Sequence, residues 1–180
     1  HYLVFILFLA LFQSVTKRII LKRCIMSKIK IQRMMMSKIV LITGATSGFG
    51  EATAERFVKE GYTLIITGRR KERLDAFKAR FPEANILSLC FDVSDKKAVF
   101  EAIGTLPSAY KNIDILVNNA GLALGLGRAP EADLSDWETM IDTNIKGLLY
   151  VTKAVLPIMV ERKNGYIFNL GSIAGNWPYE

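Results

Sequence analysis

The sequence predicts a doubly wound α/β domain, in which helices cover both faces of a parallel β-sheet. From residue 38 onwards, short continuous apolar runs alternate with longer stretches of helical periodicity. Continuous apolar runs are typical of strands buried on both faces, and their alternation with helices favours parallel pairing. Apolar residues make up 51% of the 180 residues, which suits one globular domain with a sizeable core.

The elements can be placed by their patterns and by the residues at their ends. Gly61 ends the first helix, Pro82 follows the second, and Ser94 is the predicted N-cap of the third. The fourth helical stretch is long, and an interruption is expected near Asn144. The predicted strands cover residues 38–42, 63–67, 86–91, 113–117 and 166–170. The predicted helices cover residues 49–60, 71–80, 95–105 and 135–162.

Charge is concentrated at one end of the chain. The first 36 residues hold seven Lys and Arg residues and no acidic residue, so they account for the whole formal charge of +7. The remainder has no net charge, so it lacks the excess of basic residues that is typical of a domain that binds nucleic acid. Because His1 is the only histidine and Cys24 lies far from Cys90, we expect no metal site and no Ser-His-Asp triad. Two cysteines in unlike contexts favour a reducing compartment, and we expect the cytoplasm.

Residues 1–36 are expected to form a basic and apolar extension outside the fold, and residues 37–180 the folded domain. The apolar run 2–12 has 11 residues, whereas a membrane-spanning helix needs about 20. Basic residues follow this run instead of preceding it, unlike in a signal peptide. We expect upstream sequence read in frame, with the natural start at Met26 or Met36. A short membrane anchor with a cationic flank is the alternative.

A glycine-rich loop follows the first strand and leads into the first helix. Glycines allow a sharp turn and a close approach of the backbone to a pyrophosphate, while the helix N-terminus offers unpaired N–H groups to the anion. The spacing is Gly-x-x-x-Gly-x-Gly, for which an ordinary glycine turn is the alternative. Its strand–loop–helix setting favours nucleotide binding. The residues predicted to contact the nucleotide here are Gly44, Thr46, Ser47, Gly48, Phe49 and Gly50.

The end of the second strand carries arginines rather than an acidic residue. An Asp or Glu at this place would bind the ribose hydroxyls of NAD, whereas a guanidinium can pair with a 2′-phosphate. Arg69 and Arg70 therefore predict NADP as the cofactor. The alternative is that both arginines are only the solvated start of the next helix.

Three further segments follow strands at the carboxyl edge, where a doubly wound sheet binds its ligand. Asp92 and Val93 come after the third strand and are expected to meet the adenine edge, with a turn as the alternative role of Asp92. Ser172 comes after the fifth strand, where a hydroxyl would face the reacting centre. After the fourth strand, an amide and small residues are expected against the cofactor: Asn118, Ala120 and Gly121.

Together these motifs resemble the short-chain dehydrogenase/reductase family. The resemblance runs from about residue 38 to residue 180 and covers the N-terminal part of the family's domain. It implies a Rossmann-type doubly wound sheet that is truncated after the fifth strand. The residues that carry it are Thr-Gly-x-x-x-Gly-x-Gly at 43–50, Asn-Asn-Ala-Gly at 118–121, Asn144 and Ser172.

Some segments are similar to one group within this family, the NADP-dependent 3-hydroxy acid dehydrogenases. That group oxidises serine, allo-threonine and related 3-hydroxy acids, and it reduces malonic semialdehyde. The resemblance implies hydride transfer between the nicotinamide and a carbonyl or secondary alcohol of a small molecule, and homo-oligomers of the full-length protein. The alternatives are a 3-oxoacyl-carrier-protein reductase, a broad-range ketone reductase, or a non-catalytic NADP-binding module. The similar segments are 48–51, 67–70, 112–125, 136–144 and 176–179.

The resemblance also implies two catalytic residues. Ser172 would hydrogen-bond the substrate oxygen and stabilise the charge that develops on it, and Asn144 would hold a water of the proton relay. The family's acid/base is a tyrosine in a Tyr-x-x-x-Lys motif, about a dozen residues beyond the serine. Tyr179 is too close to Ser172 for that role. We therefore expect residues 36–180 alone to be inactive and poorly stable, with the fifth strand as an exposed apolar edge.

Overall fold

The computed structural model describes residues 38–125 and 127–172. The predicted extension, residues 1–36, and Tyr179 lie outside the described residues. The strands are β1 (Ile39–Ile42), β2 (Thr63–Gly68), β3 (Ile86–Cys90), β4 (Ile113–Asn118) and β5 (Tyr166–Asn169). The α-helices are α1 (Gly48–Lys59), α2 (Lys71–Ala79), α3 (Lys96–Gly104), α4 (Leu134–Met140) and α5 (Leu148–Arg162).

The strands form one parallel sheet in the order β3-β2-β1-β4-β5. β1 pairs with β2 from Ile39 opposite Thr63 to Ile42 opposite Ile66, and it pairs with β4 on its other side. The order of the strands therefore reverses between β1 and β4. This is the doubly wound, Rossmann-type sheet that the sequence predicts, and such a reversal opens a crevice at the carboxyl ends of the two strands.

Alternate residues of the strands face two apolar layers, one on each side of the sheet. Burial of one such side chain contributes roughly 1.5–3 kcal/mol, so the two layers fix the positions of the strand ends. The first layer packs α1 and α2 on the sheet through Ala54, Leu74, Phe77, Val40, Ile42, Leu64 and Ile66. The second layer packs α3 and α5 on the other face through Val99, Ile103, Val151, Val155, Leu41, Ile65 and Leu116.

The start of α3 differs from the prediction. Asp95 is the N-cap, and its Oδ1 accepts a hydrogen bond of 3.0 Å from the backbone N–H of Ala98. The predicted N-cap, Ser94, is wrong because its hydroxyl and its backbone N–H both donate to Asp92 Oδ1, at 2.8 and 3.0 Å. Asp92 thereby closes a side-chain turn after β3, and the helix begins one residue later than expected.

The long helical stretch is interrupted, as expected. Between α4 and α5 lies a π-helical segment, Ile141–Gly147, which contains Asn144. Segments of this kind are rare and are frequently found at functional sites. No helix in the described ranges is long and apolar enough to cross a membrane.

β5 lies at an edge of the sheet. Tyr166 and Phe168 on one face of this strand are 58% and 54% exposed, and Leu170 just beyond it is 44% exposed. The opposite face packs against the core through Ile167. The expectation of an exposed apolar edge is confirmed for the described residues.

Candidate functional site

A cleft of about 600 Å³ lies at the carboxyl edge of the sheet, where the strand order reverses. Its walls come from the segments that follow β1, β2, β3 and β4 and from the π-helical segment. The predicted nucleotide contacts that line it are Gly44, Thr46, Ser47, Phe49, Arg69, Arg70, Asp92, Val93, Ala120 and Gly121. The predicted site residues that do not line it are Gly48, Gly50, Asn118, Asn144 and Ser172.

The glycine-rich loop has the tight geometry that its spacing predicts. Gly44 has a φ of +67°, and a Cβ there would lie 2.8 Å from the Cα of Ala120. A Cβ at Gly50 would lie 2.3 Å from the carbonyl oxygen of Gly44. Only glycine fits at both positions, so Gly50 shapes the loop although it does not line the cleft. α1 begins at Gly48, and the free N–H groups of its first turn make that end suitable for an anion.

Asn119 connects the loops after β1 and β4. Its side-chain amide donates to the carbonyl oxygens of Thr43 and Gly44, at 2.9 and 3.1 Å. In return, the Thr43 hydroxyl accepts from the backbone N–H groups of Asn119 and Ala120, both at 3.0 Å. Asn119 also lines the cleft, although the sequence analysis selected the neighbouring Asn118 instead.

Asn118 has a different position. Its side-chain amide donates to Thr152 Oγ1 on α5 and to Asn169 Oδ1 on β5, both at 2.9 Å. Its Oδ1 is buried without a hydrogen-bond partner among the described residues. Asn118 therefore joins β4, β5 and α5 and is directed away from the cleft. Strand alternation carries the signal that could have separated the two asparagines, because consecutive residues point to opposite sides.

The two arginines after β2 have different partners. Arg70 Nη2 donates to the hydroxyls of Thr46 and Ser47, at 2.8 and 3.0 Å. Both hydroxyls are neutral, so within the described ranges these bonds leave the positive charge of Arg70 uncompensated at the wall of the cleft. Arg69 Nη1 instead lies 3.3 Å from Asp92 Oδ2 and forms an ion pair across the ends of β2 and β3.

Asp92 is ionised more readily than an ordinary aspartate. Partial burial opposes its ionisation, but hydrogen bonds from Ser94 and the positive charge of Arg69 outweigh that effect. These groups hold the pKa of Asp92 below its usual value. Asp92 thus forms the turn that the sequence analysis gave as an alternative, and it also lines the cleft.

Of the two predicted catalytic residues, Asn144 contacts a residue of the cleft wall, Leu122. Asn144 Oδ1 accepts from the backbone N–H of Leu122 at 2.9 Å, and Asn144 Nδ2 donates to the carbonyl of Leu122 at 2.7 Å. Both polar atoms of the Asn144 side chain therefore contact the loop after β4, and each keeps the capacity for one more hydrogen bond. Ser172 is exposed and lies three residues beyond the end of β5, at the same edge of the sheet.

The sequence analysis missed five residues of the cleft wall. Gly68 ends β2 beside Thr46, and a Cβ there would lie 2.6 Å from the Thr46 methyl group. The described ranges contain no cluster of three or more His, Cys, Asp or Glu side chains that could hold a metal ion. The missed residues are Gly68, Phe91, Asn119, Leu122 and Thr143.

Comparison with known proteins assigns this chain to a family. The family model described as short chain dehydrogenase matches residues 38–180. The chain belongs to the short-chain dehydrogenase family. Among curated relatives, the NADP-dependent 3-hydroxy acid dehydrogenase YdfG of Salmonella typhi is 58% identical over 141 residues, which are 78% of this chain and 56% of the relative. Serine 3-dehydrogenase of Rhizobium radiobacter is 56% identical over 144 residues, or 80% of this chain and 57% of the relative.

Solved structures agree with the family assignment. The crystal structure of serine dehydrogenase from Escherichia coli matches with a TM-score of 0.76 and 55% identity, over 78% of this chain and 65% of that chain. A closed form of serine dehydrogenase complexed with NADP+ has the same TM-score and identity. This match covers 78% of the present chain and 56% of that chain. The present chain thus spans just over half the length of the curated relatives that it matches.

Proposed function

We propose that the cleft binds NADP, and that the full-length protein is an NADP-dependent oxidoreductase of 3-hydroxy acids or their semialdehydes. The observation that carries the proposal is the charge of Arg70 at the cleft wall, beside two hydroxyls and close to the N-terminus of α1. A 2′-phosphate bound there would meet a guanidinium and two hydroxyl donors. The names of the relatives, which specify NADP and serine or 3-hydroxy acids, support the proposal.

The two arginines are proposed to have different roles. Arg70 would bind the 2′-phosphate directly, because no carboxylate competes for it among its described partners. Arg69 is held by Asp92 at the neighbouring part of the wall, where it would cover the adenosine and add a weaker attraction for the phosphate. Gly44 and the first turn of α1 would bind the pyrophosphate, and Asp92, Val93 and Ala120 would meet the adenosine.

For the reaction itself, the bound nicotinamide would supply or accept a hydride. We propose that the Ser172 hydroxyl then hydrogen-bonds the substrate oxygen and stabilises the charge that develops on it. Asn144 would position a water of the proton relay from its place in the π-helical segment. Because the 180 residues contain no Tyr-x-x-x-Lys after Ser172, we expect this chain alone to bind NADP without turnover. A turnover assay of the 180-residue chain with NADPH and malonic semialdehyde checks this expectation.

The cofactor proposal is tested by titrating NADPH and NADH into the wild-type chain and into Arg70→Ala. Loss of a charged hydrogen bond to phosphate is worth about 1.5–3 kcal/mol, so NADPH affinity should fall by about 10-fold to 100-fold. NADH affinity should stay the same, because NADH has no 2′-phosphate. Arg69→Ala should cause a smaller loss. Arg56→Ala is the matched control, since Arg56 pairs with Glu60 on the exposed side of α1. Equal losses of NADPH and NADH affinity in Arg70→Ala would contradict the assignment.

We also propose that the full-length protein forms homo-oligomers through its long helical stretch. A row of exposed apolar side chains follows α4, the π-helical segment and α5 at spacings of three, four and seven residues. A row of this kind is typical of a protein–protein contact. Light scattering on full-length protein should show a smaller mass for Ile145→Lys than for the wild type. The exposed residues are Leu134, Trp137, Ile141, Ile145, Leu149, Leu156 and Val160.

The cytoplasm is the proposed location. The thiol of Cys90 is exposed and free, and such a thiol persists in a reducing compartment. We propose a small molecule, rather than nucleic acid, as the binding partner, because the basic surplus lies in the first 36 residues and the rest of the chain is neutral.

A further inference from the structure

Arg80 lies where the two helices on one face of the sheet approach each other. It is the C-cap residue of α2, and α1 and α2 pack on the same face of the sheet. Its Nη1 lies 2.6 Å from Glu51 Oε1, and its Nη2 contacts Glu55 Oε1. Arg80 therefore pairs with two successive turns of α1, although 29 positions separate it from Glu51 in the sequence.

Two aromatic rings hold the guanidinium of Arg80 in this place. Its Cζ lies 5.4 Å from the ring centroid of Phe77 and 5.4 Å from that of Phe81. A guanidinium over an aromatic ring is a favourable arrangement, and Phe77 is itself buried in the apolar layer between α2 and the sheet. The rings and the two carboxylates together fix the positive charge of Arg80 beside α1.

Glu51 belongs to the first turn of α1, the end of the helix to which the proposed function assigns the pyrophosphate. Its backbone N–H donates to the carbonyl oxygen of Ser47 at 3.3 Å, and Ser47 lines the cleft. A carboxylate in the first turn stabilises the helix, because it interacts with the positive end of the helix dipole. The same carboxylate competes with a bound anion for that dipole and repels the anion. The charge of Glu51 therefore opposes pyrophosphate binding unless a cation compensates it.

Within the described ranges, the ion pairs around Glu51 balance its charge. Arg80 pairs with both Glu51 and Glu55, and Lys59 Nζ lies 4.0 Å from the second oxygen of Glu55. This group thus has two positive and two negative charges. Lys59 lies two turns beyond Glu51 on α1, so Arg80 is the cation that compensates the first turn.

We infer that Arg80 is a positioning residue for the dinucleotide: it neutralises Glu51 and holds the carboxylate towards α2, so that the first turn of α1 keeps its attraction for the pyrophosphate. This inference rests on the proposed NADP site. Arg80 does not line the cleft, so it acts through Glu51 and not by contact with the cofactor. Because NADPH and NADH share the pyrophosphate, Arg80 affects both cofactors equally, unlike Arg70.

The test titrates NADPH and NADH at low salt into the 180-residue chain and its variants. Arg80→Gln leaves the charge of Glu51 uncompensated, and we expect it to bind both cofactors about 3-fold to 5-fold more weakly than the wild type. Glu51→Gln alone should bind both at least as tightly as the wild type. The double variant Arg80→Gln/Glu51→Gln should recover wild-type affinity. Arg80→Lys, which keeps the charge, should stay close to the wild type.

Glu55→Gln is the matched control, because Arg80 also pairs with Glu55, one turn further from the end of the helix. Added to Arg80→Gln, it should restore less affinity than Glu51→Gln does. The loss in Arg80→Gln should also disappear at 1 M salt, where charges are screened beyond about 3 Å. If Arg80 only joined the two helices, Glu51→Gln would weaken binding as Arg80→Gln does, and neither the double variant nor salt would remove the loss. That pattern would overturn the inference.

The same titrations separate this inference from the proposed function. If the wild type binds NADPH and Arg80→Gln binds it equally well, the inference about Arg80 is wrong and the NADP site stands. A loss in Arg80→Gln that is confined to NADPH would assign Arg80 to the 2′-phosphate and would also contradict the inference. If the wild type binds neither cofactor, the NADP proposal fails and the inference fails with it.

Discussion

The two ends of the sheet use polar side chains in opposite ways. At the amino end, Asp114 accepts hydrogen bonds from the backbone N–H of Ile39 and from Arg162 and Asn164, at 2.9, 2.6 and 3.3 Å. Arg162 also donates to the carbonyl of Ile113 at 3.1 Å. These groups satisfy one another, and the side chain of Asp114 is only 13% exposed. The amino end is therefore a closed network that joins β1, β4 and the end of α5.

At the carboxyl end, several polar groups stay available to a ligand. Among the described residues the Arg70 side chain donates to neutral hydroxyls, and the first turn of α1 has N–H groups without helical partners. Other side chains at this end, such as Asn119 and Asn144, hold the loops in place. The comparison teaches that the same sheet is stabilised at one end and prepared for binding at the other. Mutations at the two ends should then separate stability from affinity.

The largest effect is expected for Asp114→Ala, which opens the closed network at the amino end. Removing one partner of a largely buried ion pair leaves the guanidinium of Arg162 and the N–H of Ile39 without their acceptor, which costs about 3 kcal/mol. Urea unfolding of the wild type and the variant measures this loss. Asp75→Ala is the control, because the pair of Asp75 and Lys71 is exposed and such pairs contribute little to stability. A loss at Asp114 no larger than that at Asp75 would contradict the description of the amino end.

A smaller loss of stability, accompanied by a loss of NADPH affinity, is expected for Asn119→Ala, which loosens the carboxyl end. Two hydrogen bonds to the carbonyls of Thr43 and Gly44 are lost, at about 1 kcal/mol each. These bonds also hold the glycine-rich loop in the shape that we propose binds the pyrophosphate. NADPH affinity should therefore fall as well, by about 10-fold, which corresponds to about 1.4 kcal/mol. Unfolding and titration on the same variant measure both quantities. Unchanged affinity would show that the loop keeps its shape without Asn119.

The smallest effect is a pH dependence at Asp92. Its pKa is lowered in the fold from the usual 3.8, so its ionised form stabilises the fold above pH 4, and this contribution is lost as the pH falls through the lowered pKa. Asp92→Asn should therefore be less stable than the wild type at pH 7, by less than about 1 kcal/mol because the pair with Arg69 is exposed. The difference should shrink towards pH 2. Thermal unfolding of both chains between pH 2 and pH 7 checks this, and a difference that grows on acidification would refute it.

The sequence predicted the sheet well because each strand is a continuous apolar run, and this pattern depends on local burial alone. It also predicted the glycine-rich loop, because the atoms around Gly44 and Gly50 leave no room for a side chain. The need for glycine at these positions is therefore visible in the sequence. The N-cap of α3 was missed because Ser94 and Asp95 are both good capping residues. The choice between them depends on the turn that Asp92 makes with Ser94.

The direction of neighbouring side chains was harder to predict. Asn118 and Asn119 have the same chemistry, and only their place relative to the end of β4 decides which one lines the cleft. Arg69 and Arg70 differ through partners that are distant in sequence, namely Asp92 and the glycine-rich loop. Thr143 was missed because a π-helical turn changes the helical period, so a pattern based on 3.6 residues cannot place its side chain.

The most direct test of this account is amide hydrogen exchange of the 180-residue chain with and without saturating NADPH. We expect slower exchange on binding in residues 43–50, 119–122 and 141–147, which form the carboxyl end. Around Asp114 and Arg162 we expect exchange to slow only as far as binding raises the global stability of the protein, with no additional local protection. Protection confined to the amino end, or no protection anywhere at saturating NADPH, would contradict the claim that the carboxyl end is the binding site.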